Sequence, residues 1–180
     1  DDIVSEDRRA SEVIQRLRDL LRRSETKIES LDLNEQVRGV LRLIRVDLQR
    51  REIKVAESLS ANPATIAADP IQIQQVIINL ITNAGDAMEG LPVARRKIEI
   101  TTGAAADQVT LTVRDHGPGI PADAEILFEP FHTTKAQGLG IGLVICRTLI
   151  GAHGGSLQAE NHPESGAVFT VRLPQPNISA

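Results

Sequence analysis

At 180 residues with a formal net charge of −4, the chain has the length of one ordinary domain and no dense basic patch of the kind nucleic-acid surfaces carry. Its aromatics are three Phe with no Trp or Tyr, which argues against stacking platforms for single strands, and its one cysteine, Cys146, excludes an intrachain disulfide and suits a reducing cytosol. No apolar run approaches the roughly 18 residues of a membrane span, no signal peptide is visible, and the sole methionine is Met88, so the chain reads as a fragment or a processed piece.

Residues 3–28 read as a long, highly charged helix. Ala10, Val13, Leu17, Leu20 or Leu21, and Ser24 recur near every 3.5 residues, the seam spacing of packed helices. An isolated helix is marginal in water, so this stripe is expected to meet a second copy or a helix outside the fragment. Residues 31–33 read as a short strand. Asn34 suits the N-cap of a helix running to about Arg51, with Val37, Val40, Leu41, Ile44 and Leu48 as its core face. Residues 53–58 and 65–68 read as strands.

Asp69 as cap and Pro70 at the first helical position then open a helix over 71–88. At about 100° per residue, Ile73, Val76, Ile77, Leu80, Ala84, Ala87 and Met88 share one broad face toward a core. Gln75, Asn79, Asn83 and Asp86 form a second stripe. Asparagine is a poor helix former because its amide competes for backbone groups. Two of them one turn apart weaken the helix unless they serve a purpose, although a polar stripe alone is also ordinary amphipathic patterning.

Downstream, residues 97–102 and 109–115 alternate with period two as strands around a turn at 103–107. A third core helix is expected over 139–153, ended by Gly154 and Gly155. Cys146 falls in its apolar pattern and reads as a buried, inert thiol. Residues 156–161 and 167–173 close the chain as a second strand pair. This interleaving implies a mixed sheet covered on one face by helices, an α/β (α+β) two-layer sandwich.

Three stretches carry chemistry. The polar stripe of the 71–88 helix is the first. In the second, Asp115-His116-Gly117-Pro118-Gly119-Ile120 follows a strand. A carboxylate at a strand end, with two spaced glycines, can accept hydrogen bonds while the backbone bends closely around a flat ligand. The third is residues 127–143, where Gly138, Gly140 and Gly142 lead into a helix N-terminus. Backbone there can present N–H groups to phosphate, with the helix dipole favouring the anion. Thr133, Thr134 and Lys135 can add hydroxyls and one positive charge. The spacing fits neither the Rossmann fingerprint nor a P-loop. An amide oxygen on a helix can supply one Mg²⁺ contact beside substrate phosphates without repelling them as a carboxylate would.

In this order the motifs resemble the ATP-binding catalytic domain of bacterial sensor histidine kinases, within the superfamily shared with DNA gyrase, the ninety-kilodalton heat-shock chaperone and MutL. Residues 79–87 are similar to its N box, 115–120 to the G1 box, 128–131 to the F box and 138–143 to the G2 box. The wording around residues 131–135 and 152–155 is nearest to kinases of the nitrogen-regulation and oxygen-sensing kind. The resemblance implies a Bergerat-type ATP-binding fold over 29–176, with three helices on one sheet face. It further implies that residues 1–28 are the second helix of a dimerisation and phosphotransfer hairpin and that 177–180 are a tail.

Carried over by position, the resemblance assigns the adenine amino group to Asp115, the Mg²⁺ contact to Asn83 and approach to the phosphates to Asn79. Asn79, Asn83 and Lys135 form the implied catalytic group. Asp86, Ala87, Gly117, Gly119, Ile120, Phe128, Gly138, Leu139, Gly140, Ile141, Gly142 and Leu143 shape the pocket, and Thr133, Thr134 and Lys135 lie in the lid. Leu139 replaces a frequent Thr or Ser, His132 a usual aromatic, and His116 a common Asn or Thr. None of the four histidines lies in the first helix. The implied reaction is therefore transfer from Mg-ATP to a histidine on a paired hairpin helix, then to an aspartate of a response-regulator receiver domain. The implied partners are these and a second copy, with no nucleic acid and no direct membrane contact. The implied place is the cytoplasm, at the inner end of a membrane-bound sensor where the parent chain is anchored. An ATPase machine of the gyrase or chaperone kind needs a Glu four residues before the metal Asn. That position is Asn79, which cannot act as a general base, so slow hydrolysis is expected. A nucleotide-gated dimerisation module is the non-enzymatic alternative.

Overall fold

In the computed structural model, residues 27–60, 62, 64–105, 107–131 and 140–176 are described. The helix expected over 3–28 lies outside them, apart from Lys27 and Ile28, which precede the first strand without helical structure. The elements are β1 (Glu29–Asp32), α1 (Leu33–Arg50), β2 (Lys54–Ser58), β3 (Thr65–Ala68), α2 (Pro70–Ala87), β4 (Lys97–Ala104), β5 (Gln108–Asp115), α3 (Gly142–Ala152), β6 (Ser156–Asn161) and β7 (Ala167–Pro174). Single turns of 3₁₀ helix lie at Val93–Arg95 and Ala124–Phe128.

Alternation builds the sheet. β4 buries Ile98, Ile100 and Thr102, and β5 buries Val109, Leu111, Val113 and Asp115. Between them, Glu99 faces Arg114 and Thr101 faces Thr112 on the opposite surface. The strand order is β2-β4-β5-β7-β6, with β2 parallel to β4 and every other pair antiparallel. β1 and β3 form a separate antiparallel ribbon, a pairing the strand patterns did not reveal.

The expected sandwich is the one observed: a mixed five-stranded sheet packed with helices. Val37 and Val40 of α1, Val76, Ile77, Leu80 and Ile81 of α2, and Cys146 and Ile150 of α3 are all buried in one core with the strands. Burying each large side chain stabilises the fold by about 1.5–3 kcal/mol.

Two boundaries differ from the sequence reading. The N-cap of α1 is Asp32, whose Oδ1 accepts from the Asn34 N–H at 2.9 Å. Asn34 instead turns its amide inward, donating to the Ser60 carbonyl at 3.1 Å and accepting from Thr102 Oγ1 at 2.6 Å. A buried amide with partners on two other segments is stabilised more there than at a solvent-facing cap. The third helix starts at Gly142 rather than 139, because Gly140 takes φ +65, outside the helical range.

Candidate functional site

The floor of the site is made where β5 and β7 lie side by side. Asp115, the last residue of β5, is 2% exposed. Its Oδ1 accepts from the Gly117 N–H at 2.8 Å, closing the turn onto its own side chain, and from the Ala167 N–H of β7 at 3.2 Å. Both bonds fall on one oxygen, which leaves Oδ2 for a further donor. Burial pushes the Asp115 carboxyl above its ordinary range, opposed by these two backbone bonds and by the nearby charges of His116 and Arg114.

Two glycines answer to crowding here. A Cβ on Gly117 would lie 2.8 Å from Asp115 Oδ1 and 3.0 Å from the Ala87 carbonyl, so the turn packs directly on the C-terminal end of α2. Gly166 has φ +83, and a Cβ there would overlap the Asp115 carbonyl.

Asn161, at the end of β6, fastens the same turn. Its Oδ1 accepts from the Ile120 N–H and its Nδ2 donates to the Ile120 carbonyl, both at 2.8 Å. The amide thus mimics one rung of a strand ladder. Sequence reading passed over Asn161, because its partner is 41 residues away and no local spacing announces it.

On α2, Asn79, Asn83, Asp86 and Ala87 are half-buried. Asn79 lies beside the Cys146 thiol of α3, and burial pushes that thiol up to about 12. Asp86 pairs with Arg51 at 2.6 Å across the ends of α2 and α1, both side chains being about a quarter exposed. Gly85 leaves space for that guanidinium, since a Cβ there would come within 3.1 Å of it.

The start of α3 differs from the other helix starts. Asp32 caps α1, and Asp69 caps α2 by accepting from the Ile71 and Gln72 N–H groups at 2.9 and 3.2 Å. The N-cap of α3 is Ile141, which offers no side-chain bond, so its first-turn N–H groups lack an internal acceptor of that kind. Phe128, in the turn before it, is buried with the Arg147 guanidinium of α3 4.8 Å from its ring centroid.

His153, at the other end of α3, is buried and reaches the α2 cap. Its Nε2 accepts from the Asp69 N–H at 3.0 Å, which places the ring proton on Nδ1, donating to the Leu149 carbonyl at 2.7 Å. His116 sets Nε2 3.2 Å from Glu99 Oε1 on the outer sheet surface.

The 115–120 turn meets the end of α2 at Ala87, and α3 packs on α2 with Cys146 beside Asn79. Ile120 and Leu143 pack against the same core. His132, Thr133, Thr134, Lys135, Gly138 and Leu139 lie outside the described residues. Among the described residues, no group of three or more His, Cys, Asp or Glu could hold a metal ion.

Sheet and helices together define an α/β domain, a mixed five-stranded sheet packed with helices. The chain belongs to the family of histidine kinase-, DNA gyrase B-, and HSP90-like ATPases, whose match covers residues 68–177. It is similar to the C4-dicarboxylate transport sensor protein DctS of Rhodobacter capsulatus, at 37% identity over 96% of this chain and 26% of the relative. It is also similar to the sensor protein FixL of Bradyrhizobium diazoefficiens, at 39% identity over 92% of this chain and 33% of the relative. The chain thus spans about a quarter to a third of these relatives. Among solved structures, the catalytic domain of the histidine kinase ThkA superposes with a TM-score of 0.74 at 35% identity, covering 83% of this chain and 96% of that one. A structure of ThkA in complex with the response regulator protein TrrA reaches a TM-score of 0.78 at 29% identity, over 99% of this chain and 51% of that one.

Proposed function

We propose that the chain is the ATP-binding catalytic portion of a two-component sensor histidine kinase. It transfers the γ-phosphoryl group of ATP to a histidine outside these residues, for relay to a response-regulator aspartate. The strongest support is the combination in one domain of three features: a buried carboxylate with one oxygen unspent, an asparagine-bearing helix, and a helix start without a side-chain cap.

Asp115 Oδ2 takes the adenine amino group, while Gly117, Gly119 and Ile120 let backbone approach the ring. The N–H groups at Gly140, Ile141, Gly142 and Leu143 face the phosphates, where a helix start favours an anion. Asn79 approaches the phosphates, and Thr133, Thr134 and Lys135 serve as lid. The donor set would suit Mg²⁺: Asn83 would offer one amide oxygen beside the substrate phosphates, and among the described residues no carboxylate cluster competes for the ion. When bound, Mg²⁺ neutralises charge developing on the transferred group. The residues of the chain contribute by positioning and by excluding water.

Residues 1–28 act as the second helix of a hairpin that pairs with a second copy, 29–176 as the catalytic domain, and 177–180 as a tail. The domain works in the cytoplasm against the histidine-bearing helix and the receiver domain, without contact to membrane or nucleic acid. No helix among the described residues is long and apolar enough to cross a membrane.

The test mixes the chain with Mg-ATP and a separate hairpin protein bearing the acceptor histidine. Acid-labile phosphate on the hairpin is expected. Nucleotide binding without transfer would overturn the kinase reading, and calorimetry showing no heat with ATP would overturn the site itself.

A further inference from the structure

The opposite margin of the molecule carries a second feature, independent of the nucleotide reading. β2 is an outer strand of the sheet, paired with β4 on one side and, among the described residues, with no strand on the other. The Lys54 N–H donates to the Arg96 carbonyl, toward β4. Backbone direction alternates along a strand, so the N–H and C=O groups of Val55 and Glu57 point out of the sheet edge.

Beside that edge runs α1. Its Arg38, Arg42 and Arg45 follow an i, i+4, i+7 spacing and so form one stripe, bordering Leu41 and Leu48. Val55 and Glu57 sit opposite the buried Ile98 and Ile100, on the helix-facing surface of the sheet. Between the two elements lies a groove of about 370 Å³, with Leu41, Leu48 and Val55 as apolar lining and the three arginines and Glu57 around it. Arg38 is paired with Glu35 at 2.6 Å, whereas Arg42 and Arg45 have no acidic partner among the described residues.

We infer that this groove and the β2 edge form a docking site for an extended acidic and apolar segment of a partner protein. The segment adds as a sixth strand beside β2. Its backbone meets the outward groups of Val55 and Glu57. Its apolar side chains enter between Leu41, Leu48 and Val55, and its carboxylates meet Arg42 and Arg45. Charge selects the sign of the occupant: two guanidiniums without an acidic partner among the described residues, on a chain of net charge −4, favour an anion. The open edge selects a peptide, because strand addition uses backbone groups that neither a nucleotide nor a lipid headgroup can pair in series. The lining holds no aromatic side chain on which a base could stack.

The experiment titrates the full chain with a synthetic peptide in which Val and Glu take turns at every second position, with Thr between them so that both fall on one strand face, and with the same peptide carrying Lys for Glu, by fluorescence anisotropy. Binding of the acidic peptide alone is expected, with slowed amide exchange at Val55 and Glu57. The double variant Arg42→Glu/Arg45→Glu should lose about tenfold or more in affinity, while keeping its melting temperature and its ATP binding. Glu57→Gln should tighten binding, since it removes the one like charge in the groove. Peptide binding with unchanged exchange at Val55 and Glu57 would overturn strand addition. Failure of the acidic peptide to bind would overturn the proposal outright. So would capture of phosphatidylserine vesicles, lost in the double variant, in place of peptide.

Discussion

Helices α2 and α3 both pack in the core, yet their N-termini are finished in opposite ways. The start of α2 is closed from within: Asp69 caps it, His153 accepts from the cap N–H, and the Lys27 N–H donates to Asp69 Oδ2 at 3.0 Å. The start of α3 has a positive-φ glycine and a buried isoleucine where a cap would sit. An aspartate satisfies orphan N–H groups well, but it also fills the place where an anion would bind. A helix start serving the fold can be capped by a carboxylate, and one serving a phosphate cannot.

The sharpest way to break this contrast is to make α3 resemble α2. Ile141→Asp should bind ATP roughly a hundredfold more weakly than Ile141→Asn, because a carboxylate beside phosphate at an effective dielectric near 20 costs several kcal/mol. Both variants lose the same buried side chain, so their ratio isolates charge. Calorimetric affinities within about threefold of each other would place the phosphates elsewhere.

Asp115→Asn ranks next. The amide keeps the acceptor for Gly117 and Ala167 but presents NH₂ instead of Oδ2, so ATP affinity should fall about ten- to a hundredfold, the worth of one charge-assisted bond of ~1.5–3 kcal/mol. Stability moves the other way. A carboxyl pushed above its ordinary value of 3.8 contributes stability below that pH and loses it as pH rises through the raised value. The asparagine variant should therefore match the parent in acid and exceed it at neutral pH. Urea titrations at several pH values check the sign.

Smaller effects are expected where residues only position others. Asn161→Ala removes two neutral bonds of ~0.5–1.5 kcal/mol each and should raise the KM for ATP about tenfold, with kcat nearly unchanged. A lowered melting temperature with unaltered KM would make Asn161 purely structural. The smallest effect on binding belongs to Asp69→Ala, which should cost about 0.5–2 kcal/mol of stability and leave the affinity of the folded protein unaltered. A parallel loss of affinity would mean that the two helix starts are coupled through His153.

What could be read from the chain depended on how far each signal reaches. Asp69-Pro70 announced α2 because cap and first-turn proline act within a few residues, and the alternation of 109–115 placed Asp115 at a strand end for the same reason. Asn34 misled because two cap formers stand one residue apart from Leu33, and only the partners Ser60 and Thr102 decide between them. The parallel pairing of β2 with β4 and the β1–β3 ribbon join segments far apart in sequence. Asn161 was silent for that reason too. At the site, motif spacing named the segments, but not Cys146 beneath Asn79 or the Arg51 partner of Asp86.

The burial of Cys146 has a practical corollary. Its thiol, held near 12, stays protonated at neutral pH and out of reach of alkylating reagents. It is also the only sulfhydryl in the chain. A cysteine introduced at an exposed position such as Ser58 or Thr101 can therefore carry a maleimide dye selectively, with the native sequence otherwise untouched.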